Sequence, residues 1–286
     1  MNKIVLVAET GSDLTKEAAA QYGIYLVPMH VSFGDKTLDD GDFPAEDICS
    51  YYEETGALPK TSGSAPEDFT KVFDAIHAVH PDAHILHLAY SAVTTVSYQS
   101  AVLAAEGRDY VTSIDTKQVS IGQANIVLAM ARFLRANPEV TPARAAAAAA
   151  EYIHAARFCF IPDKLEYLHA GGRISNAAYF LGGRLLRLHP CVDVQGGRLI
   201  ATKKYRGKMD SAIRSLLTEY TKLHNLSRDR LMLLYTTGFP RERREMVEET
   251  ARQLGFRQIS WTKAHGVITT HGGPNAFAMA GFSAAE

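Results

Sequence analysis

KIVLVAETGSDL, residues 3–14, places a short, mostly apolar run directly before a small polar loop. The run KIVLVA (3–8) predicts a strand buried on both faces of a sheet. A helix-like run follows the loop, and a strand that passes through a short loop into a helix is the first half of a βαβ unit. A helix start at this loop could bind an anion, but we expect Ser12 or Asp13 to cap the helix instead.

The alternation of strands and helices continues through the first half of the chain. Further strands are predicted at IYLVPMHV (24–31), HILHLA (84–89) and YVTSI (110–114). Helix-like runs are predicted at about 14–22, 44–55, 66–80, 95–106 and 118–136. TPARAAAAAAEYIHAARF (141–158) predicts another helix, with Thr141 as its cap and Pro142 in its first turn. This order indicates right-handed βαβ units and a mostly parallel sheet with flanking helices.

The second half adds an antiparallel element to the same alternation. In CVDVQGGRLIATKKY (191–205), Gly196 and Gly197 separate two short strands, which predicts a hairpin with a primed turn. Helices are predicted at about 162–170, 175–186, 207–225 and 239–254. Strands are predicted at LMLLYT (231–236), QISWT (258–262) and VITTH (267–271). The sequence therefore predicts an α/β protein with an N-terminal α/β domain, 1–157, and a C-terminal α/β domain, 158–286.

Composition and charge narrow the class of protein. The chain has 286 residues, of which 47% are hydrophobic and 21% charged, and its formal net charge is −1. These fractions are typical of a soluble globular protein, and the charge indicates no nucleic-acid partner. Cys49, Cys159 and Cys191 lie far apart, without the spacing of a zinc site or a disulfide framework. We expect buried thiols in a reducing compartment and no bound metal.

Targeting segments and common catalytic motifs are not found. The N-terminal run is too short for a secretory signal, and no stretch reaches about 18 uncharged apolar residues, so we expect a cytoplasmic protein. GxGxxG, GxxxxGK[ST], HExxH and GxSxG do not occur. This argues against a dinucleotide-binding fold, a P-loop NTPase, a zincin and a standard α/β-hydrolase.

PKTSGSAPEDF, residues 59–69, contains more hydroxyl groups than a helix start needs. Ser64 and Glu67 have the spacing of a capping box, and Pro66 suits the first turn of a helix. Thr61 and Ser62 then have no structural role. They either bond to their own backbone, as turn residues do, or bind a ligand, and this segment alone does not decide between the two.

Four other segments combine polar groups with the ends of predicted elements. YSAVTTVSYQSA (90–101) follows a strand, so that Ser91 faces the ligand crevice of a parallel sheet, while one of the threonines or Ser97 caps the next helix. In THGGPNAF (270–277), His271 ends a predicted strand, and Pro274 is predicted to open a short apolar helix. LEYLHAGGRIS (165–175) leaves Arg173 without a local role, and KKYRGK (203–208) is a small basic cluster.

Taken in order, these segments resemble the DegV family over nearly the whole chain. The matching residues are GSDL (11–14), VP (27–28), TS (61–62), Ser91, SYQSA (97–101), Asp115, SIGQ (120–123), GGRIS (171–175), Leu186 to Pro190, KYRGK (204–208) and HGGP (271–274). The resemblance implies a two-domain DegV-like fold that holds a long-chain fatty acid between its domains. It further implies a carrier with no chemistry or cofactor of its own, which offers the fatty-acid carboxylate to a kinase that makes an acyl phosphate for phospholipid synthesis.

The resemblance also implies roles for individual residues. The positions carried over to the carboxylate site are Thr61, Ser62, Ser91, Ala92 and His271. The positions expected to dock a fatty acid kinase catalytic subunit, with an acyltransferase as a further candidate partner, are Arg173, Lys204 and Arg206. Transient contact with a membrane surface is compatible with this role, and no nucleic acid is expected. The chain departs from the family pattern around the ligand head at Gly63, Ala92, Val96, His189 and Asn275.

Two other classes of function remain open from the sequence. A serine acyl hydrolase could use Ser91, His271 and Asp115, although Ser91 lacks the glycines of a strained nucleophile elbow. A sugar- or nucleotide-binding α/β protein would need a crevice lined with polar, charged or aromatic groups. A largely apolar cavity would argue against that last alternative.

Overall fold

The computed structural model describes residues 4–172 and 188–284. Its strands in these ranges are β1 Ile4–Glu9, β2 Tyr25–Val27, β3 His30–Phe33, β4 Lys36–Asp39, β5 Lys60–Ser62, β6 His84–Ala89, β7 Val111–Asp115, β8 Ala156–Ile161, β9 Leu188–Gln195, β10 Arg198–Arg206, β11 Arg230–Tyr235, β12 Gln258–Lys263 and β13 Phe277–Phe282. Its helices are α1 Lys16–Tyr22, α2 Glu46–Thr55, α3 Pro66–Val79, α4 Ser97–Ala104, α5 Ser120–Ala136, α6 Pro142–Ala155, α7 Leu165–Ala170, α8 Met209–Leu223, α9 Arg241–Gln253 and α10 Gly266–Gly272.

The first half forms the parallel sheet that the alternation predicts. Within the described ranges it has four strands in the order β2-β1-β6-β7, and every neighbouring pair is parallel. The chain adds β2 on one side of β1 and β6 on the other. The strand order therefore reverses between β1 and β6, and in open α/β sheets ligands bind outside the carboxyl ends of the strands at such a point.

The second half forms a larger mixed sheet. Its strands, counted in the described residues, run in the order β10-β9-β8-β13-β11-β12; β11 and β12 are parallel, and the other pairs are antiparallel. The predicted hairpin is confirmed as β9 and β10. Gly196 and Gly197 join them with φ angles of 56° and 83°, which a primed turn requires and glycine adopts without steric cost.

A small antiparallel sheet, β4-β3-β5, carries the TS segment. Thr61 pairs with Val31, and Ser62 pairs with His30. The prediction of one strand over 24–31 is wrong, because β2 and β3 belong to two different sheets. The break falls at Pro28, which has no N–H group to donate to a strand ladder.

The hydrophobic core lies between layers of helices and sheets. Phe69, Phe73 and Ile76 of α3 pack on one face of the parallel sheet. α5 lies between the two large sheets and contacts strands of both, which explains why it is buried around most of its circumference. α8 and α9 pack on the outer face of the mixed sheet. No helix in 4–172 or 188–284 is long and apolar enough to cross a bilayer.

The division into domains stays a prediction. The parallel sheet uses residues before 116, the mixed sheet uses residues from 156 onward, and α6 ends at Ala155, close to the predicted boundary. However, α5 joins both sheets in one hydrophobic core, in which Ile121 and Phe158 are both buried. The two halves therefore share an extensive packed interface.

Two predictions near the C-terminus are wrong. VITTH belongs to the helix α10, and the segment after Pro274 forms β13, an inner strand of the mixed sheet, instead of a helix. β-branched residues favour strands, but tertiary contacts override that preference here. The Asp13 carboxylate accepts the His265 N–H at 2.8 Å, and the Asp40 carboxylate accepts the Val267 N–H at 2.9 Å, so buried side chains satisfy the start of this helix.

Two predicted caps are also wrong, and one is confirmed. Thr15, and not Ser12 or Asp13, caps α1 by accepting the Ala18 N–H. In α3 the cap position is Ala65, whose N–H donates to the Asp68 carboxylate at 2.8 Å, so Ser64 and Glu67 do not form a capping box. The predicted cap of α6 is confirmed, because the Thr141 hydroxyl accepts the Arg144 N–H.

Candidate ligand-binding site

A cavity of about 330 Å³ lies beyond the carboxyl end of β6, between the parallel sheet and the inner side of the mixed sheet. The mixed sheet and its edges contribute an apolar wall made of Phe158, Phe160, Leu199, Leu234, Phe277 and Ala278. Met29, Val119 and Val267 extend this wall. None of the lining residues in the described part of the chain is Asp, Glu, Lys or Arg. The cavity therefore suits a long apolar molecule better than a sugar or a nucleotide.

Hydroxyl groups and one imidazole supply the polar part of the wall. The Thr61 hydroxyl and His271 Nε2 are 2.9 Å apart, although 210 residues separate them in sequence. Thr61 lies on β5 and His271 near the end of α10, and Ser62 lines the same cavity. The structure thus brings together three of the five predicted carboxylate residues. A hydroxyl and an imidazole can both donate hydrogen bonds to an anionic oxygen.

The backbone around His271 is shaped to hold its ring. A side-chain carbon at Gly171 would lie 2.4 Å from His271 Nδ1, so only glycine leaves room for the imidazole at this point. Gly171 directly follows α7. Its close approach to a residue 100 positions away could not be read from local pattern.

Two buried carboxyl groups support α10 from below the cavity. Burial raises the pKa of Asp13 from 3.8 to about 7, although His265 and the hydrogen bond from Ser120 act in the opposite direction. Burial also raises the pKa of Asp40. The Ser120 hydroxyl donates to Asp13 at 2.5 Å and also lines the cavity. The cavity floor and the helix that carries His271 are therefore held by the same carboxyl group.

A third buried carboxylate positions the loop after β6. Glu9 Oε2 accepts the Tyr90 N–H at 3.0 Å and the Gln123 side-chain amide at 2.7 Å. Glu9 Oε1 lies 3.3 Å from His87 Nε2, and both side chains are fully buried. This places the start of the hydroxyl-rich loop at the end of β1, which is the geometry expected where the strand order reverses.

Two predicted carboxylate residues are not among those that line the cavity. The buried Ser91 hydroxyl donates to the Gly197 carbonyl in the β9–β10 hairpin at 2.8 Å. The Ala92 N–H donates to Asp115 Oδ1 at 3.2 Å. Ser91 therefore joins the loop after β6 to the hairpin of the other sheet.

The same contacts bear on the hydrolase alternative. Ser91 is bonded to Gly197, His271 Nε2 to Thr61, and Asp115 to the N–H groups of Ala92 and Lys117. No hydrogen bond in 4–172 or 188–284 links Ser91 to His271 or His271 to Asp115. A serine acyl hydrolase needs a nucleophile hydrogen-bonded to a base and a base hydrogen-bonded to an orienting carboxylate. The described residues do not form this arrangement.

Several lining hydroxyls were missed or given another role from sequence. Thr94 and Thr95 line the cavity, whereas the sequence predicted that one of them or Ser97 caps α4. Ser120, which belongs to the SIGQ match, and Thr236 also line it, and neither was predicted as a ligand-binding residue. Ser120 follows β7 and Thr236 directly follows β11. A search of strand ends for hydroxyl groups would have found both.

The departures from the family pattern have local explanations. A side-chain carbon at Gly63 would lie 2.2 Å from the Thr95 hydroxyl, so a larger residue does not fit with Thr95 in place. Asn275 has a φ of 59°, a left-handed conformation that asparagine tolerates better than most residues. His189 Nε2 bonds to the Gly207 carbonyl at 3.0 Å, and Val96 is an exposed residue at the cavity wall.

The predicted docking residues lie away from the cavity wall. Lys204 and Arg206 are exposed on β10, the edge strand of the mixed sheet. Lys203 and Tyr205 alternate with them and bond to Glu219 of α8, so Lys204 and Arg206 point to the opposite face. Arg173 lies outside the described residues.

An α/β fold that encloses a largely apolar cavity with a few convergent polar groups defines a small-ligand-binding protein. The chain belongs to the DegV family, because the family model described as "Uncharacterised protein, DegV family" matches residues 3–283. This match confirms the resemblance, and the parallel sheet and the antiparallel-containing mixed sheet confirm the predicted α/β fold class.

Relatives and solved structures extend the comparison. A DegV domain-containing protein of Deinococcus radiodurans is 31% identical over 283 residues, which is 97% of each chain. A Thermotoga maritima protein named "Fatty acid-binding protein" is 27% identical over 210 residues, or 72% of each chain. The solved structure of a fatty-acid-binding DegV family protein from Thermus thermophilus superposes with a TM-score of 0.87 at 26% identity, and the match covers 99% of this chain and 100% of that one.

Proposed function

We propose that this protein binds a long-chain fatty acid in its cavity and offers the carboxylate to a partner kinase. The observation that carries the proposal is an apolar cavity whose wall contains the Thr61–His271 pair. The named binding function of the Thermotoga and Thermus relatives supports the same ligand class. Ser62 also lines the cavity, which supports its proposed role at the carboxylate.

The head and the tail of the ligand contribute differently to this binding. Neutral donors can hold a carboxylate without a bidentate arginine, so its oxygen stays available to attack a phosphoryl group. The tail supplies most of the affinity, because each buried methylene contributes about 0.8 kcal/mol. The entropy that the fatty acid loses when its acyl chain is ordered and its free motion ends opposes that gain.

The lipid content of the purified protein tests the proposed fatty-acid binding. We expect mass spectrometry of denatured protein from a bacterial host to detect a fatty acid, and we expect the delipidated protein to take up palmitate on titration. Denatured protein with no lipid, together with no uptake of palmitate, would exclude the proposed function. The identity of the bound acid would also show which acyl-chain length and saturation the protein prefers.

We further propose that the exposed face of β10 docks a fatty acid kinase catalytic subunit in the cytoplasm, for use of the acyl phosphate in phospholipid metabolism. Lys204 and Arg206 share that face, and the resemblance assigns Arg173 to the same role. Their positive charge suits a partner with an acidic surface, and an acyltransferase could use the same face afterwards.

Removal of positive charge from this face of β10 should reduce presentation of the fatty acid to the kinase and leave fatty-acid binding unchanged. We expect Lys204→Ala combined with Arg206→Ala to reduce acyl phosphate formation by a purified kinase subunit by roughly tenfold, since loss of central contacts typically costs more than 1 kcal/mol. Palmitate affinity should not change. Lys203→Ala is the matched control, because Lys203 lies on the same strand but bonds to Glu219. If palmitate affinity falls first in the double variant, the docking role is wrong.

A further inference from the structure

The Thr95 hydroxyl lies beside the segment that carries Thr61 and Ser62. Thr95 belongs to the loop between β6 and α4 and lines the cavity. A side-chain carbon on Gly63 would lie 2.2 Å from Thr95 Oγ1. The missing side chain at Gly63 therefore leaves space for this hydroxyl, on the same cavity wall as the Thr61–His271 pair.

The hydrogen bonds of Ser97 determine where the Thr95 proton can go. Ser97 is fully buried, and its hydroxyl oxygen accepts the Ser64 N–H at 3.0 Å. Its own proton needs an acceptor inside the protein, because an unsatisfied buried donor is costly. Thr95 Oγ1, at 3.2 Å, is the acceptor that the hydrogen bonds of the described residues provide. Ser97 therefore donates to Thr95, and the Thr95 proton remains free to point into the cavity.

Thr94, its neighbour, shows the opposite arrangement. It also lies at the cavity wall, but its hydroxyl donates to the Ser91 carbonyl at 2.9 Å. Its proton is engaged in a local turn of the loop. Two adjacent threonines thus differ in one property, which is whether the hydroxyl proton is available to a ligand.

We propose that Thr95 donates a hydrogen bond to the carboxylate of the bound acid, with Ser97 as a positioning residue behind it. The chain of donors runs from the Ser64 N–H to Ser97, from Ser97 to Thr95, and from Thr95 to the ligand. Each donor in such a chain is polarised by the one before it, which strengthens the last bond. The inference rests on the proposed fatty-acid binding and adds a specificity determinant to it, because a charged acceptor gains more from this donor than a neutral one.

The test compares an acid with a neutral ligand of the same chain. Delipidated wild-type protein, Thr95→Val and the control Thr94→Val are titrated with palmitate and with hexadecanol. We expect Thr95→Val to bind palmitate about 10- to 100-fold more weakly, the range of a hydrogen bond to a charged group, and to lose much less affinity for hexadecanol. Thr94→Val should change both affinities far less, and Thr95→Ser should recover palmitate binding.

The outcomes separate this inference from the proposed function. Palmitate binding by Thr95→Val at the wild-type level would overturn the role of Thr95 while leaving fatty-acid binding intact. Equal losses for palmitate and hexadecanol in a variant that melts at the wild-type temperature would also overturn it, because the hydroxyl would then act through packing alone. If wild-type protein binds neither ligand, the proposed function fails and this inference fails with it.

Discussion

Octanoate should bind this protein roughly 10⁴-fold more weakly than palmitate, since eight buried methylenes at about 0.8 kcal/mol each contribute about 6 kcal/mol. The reason is the cavity wall, in which phenylalanine, leucine and alanine side chains of the mixed sheet face the ligand. Titration of delipidated protein with a series of saturated acids measures the slope. A flat series would contradict the assignment of the tail to this cavity and would favour a ligand recognised by its polar groups alone.

A pair of neighbouring residues on β10 provides the control for this series. Leu199 lines the cavity, whereas Ile200 is exposed. We expect Leu199→Ala to weaken palmitate binding by roughly tenfold, because it removes apolar contact with the chain. Ile200→Ala should leave the affinity unchanged. Equal effects of the two substitutions would indicate a general disturbance of the hairpin and not a loss of tail contact.

Replacement of Asp13 by asparagine should remove a large pH dependence of stability. Burial raises the pKa of this carboxyl from 3.8 to about 7 in the folded protein. Between about pH 4 and pH 7 the folded state therefore keeps a proton that the unfolded state releases. Stability is fully present below this window and falls as the pH rises through it. The whole difference is on the order of 4 kcal/mol, from 1.36 kcal/mol per pKa unit.

Chemical denaturation of both proteins at about pH 4.5 and about pH 8 measures the effect. The introduced asparagine side chain stays neutral and can still accept the His265 N–H, so we expect Asp13→Asn to lose less stability than wild type over this range. His265 and Asp40 also interact with Asp13, and comparison of the two proteins removes most of their shared contribution. Asp42→Asn is the control, because it removes a surface carboxyl paired with Lys16. Identical slopes for wild type and Asp13→Asn would contradict the prediction.

Local pattern predicted the elements that form the layers. The runs at 3–8 and 84–89 became β1 and β6, since a strand buried on both faces needs an apolar run, and 110–114 became the half-buried edge strand β7. Gly196 and Gly197 identified the hairpin because its turn demands left-handed φ angles at both positions. α10 was misassigned because the contacts that stabilise its start come from Asp13 and Asp40, more than 200 residues earlier in the chain.

The candidate site was predicted only in part for a similar reason. Thr61, Ser62 and His271 were identified, and all three line the cavity. Ser91 was placed at a strand end correctly, but its hydroxyl reaches the Gly197 carbonyl in the second half of the chain. Thr95 was only one of three candidates to cap α4, because nothing in its own segment shows that Gly63 leaves space for its hydroxyl beside the ligand-binding residues.

The amino-acid sequence by itself determined the α/β class, the parallel sheet, the hairpin and the set of hydroxyl-bearing segments, because these depend on the conformational preferences and spacing of nearby residues. Only the tertiary structure decided which hydroxyl protons are free. The Ser97 hydroxyl accepts the Ser64 N–H, from which we infer that it donates to Thr95, whereas Thr94 donates to a carbonyl of its own loop and Ser91 donates to the hairpin. The direction of a hydrogen bond depends on every acceptor within about 3 Å in space, and packing of distant segments brings those acceptors together.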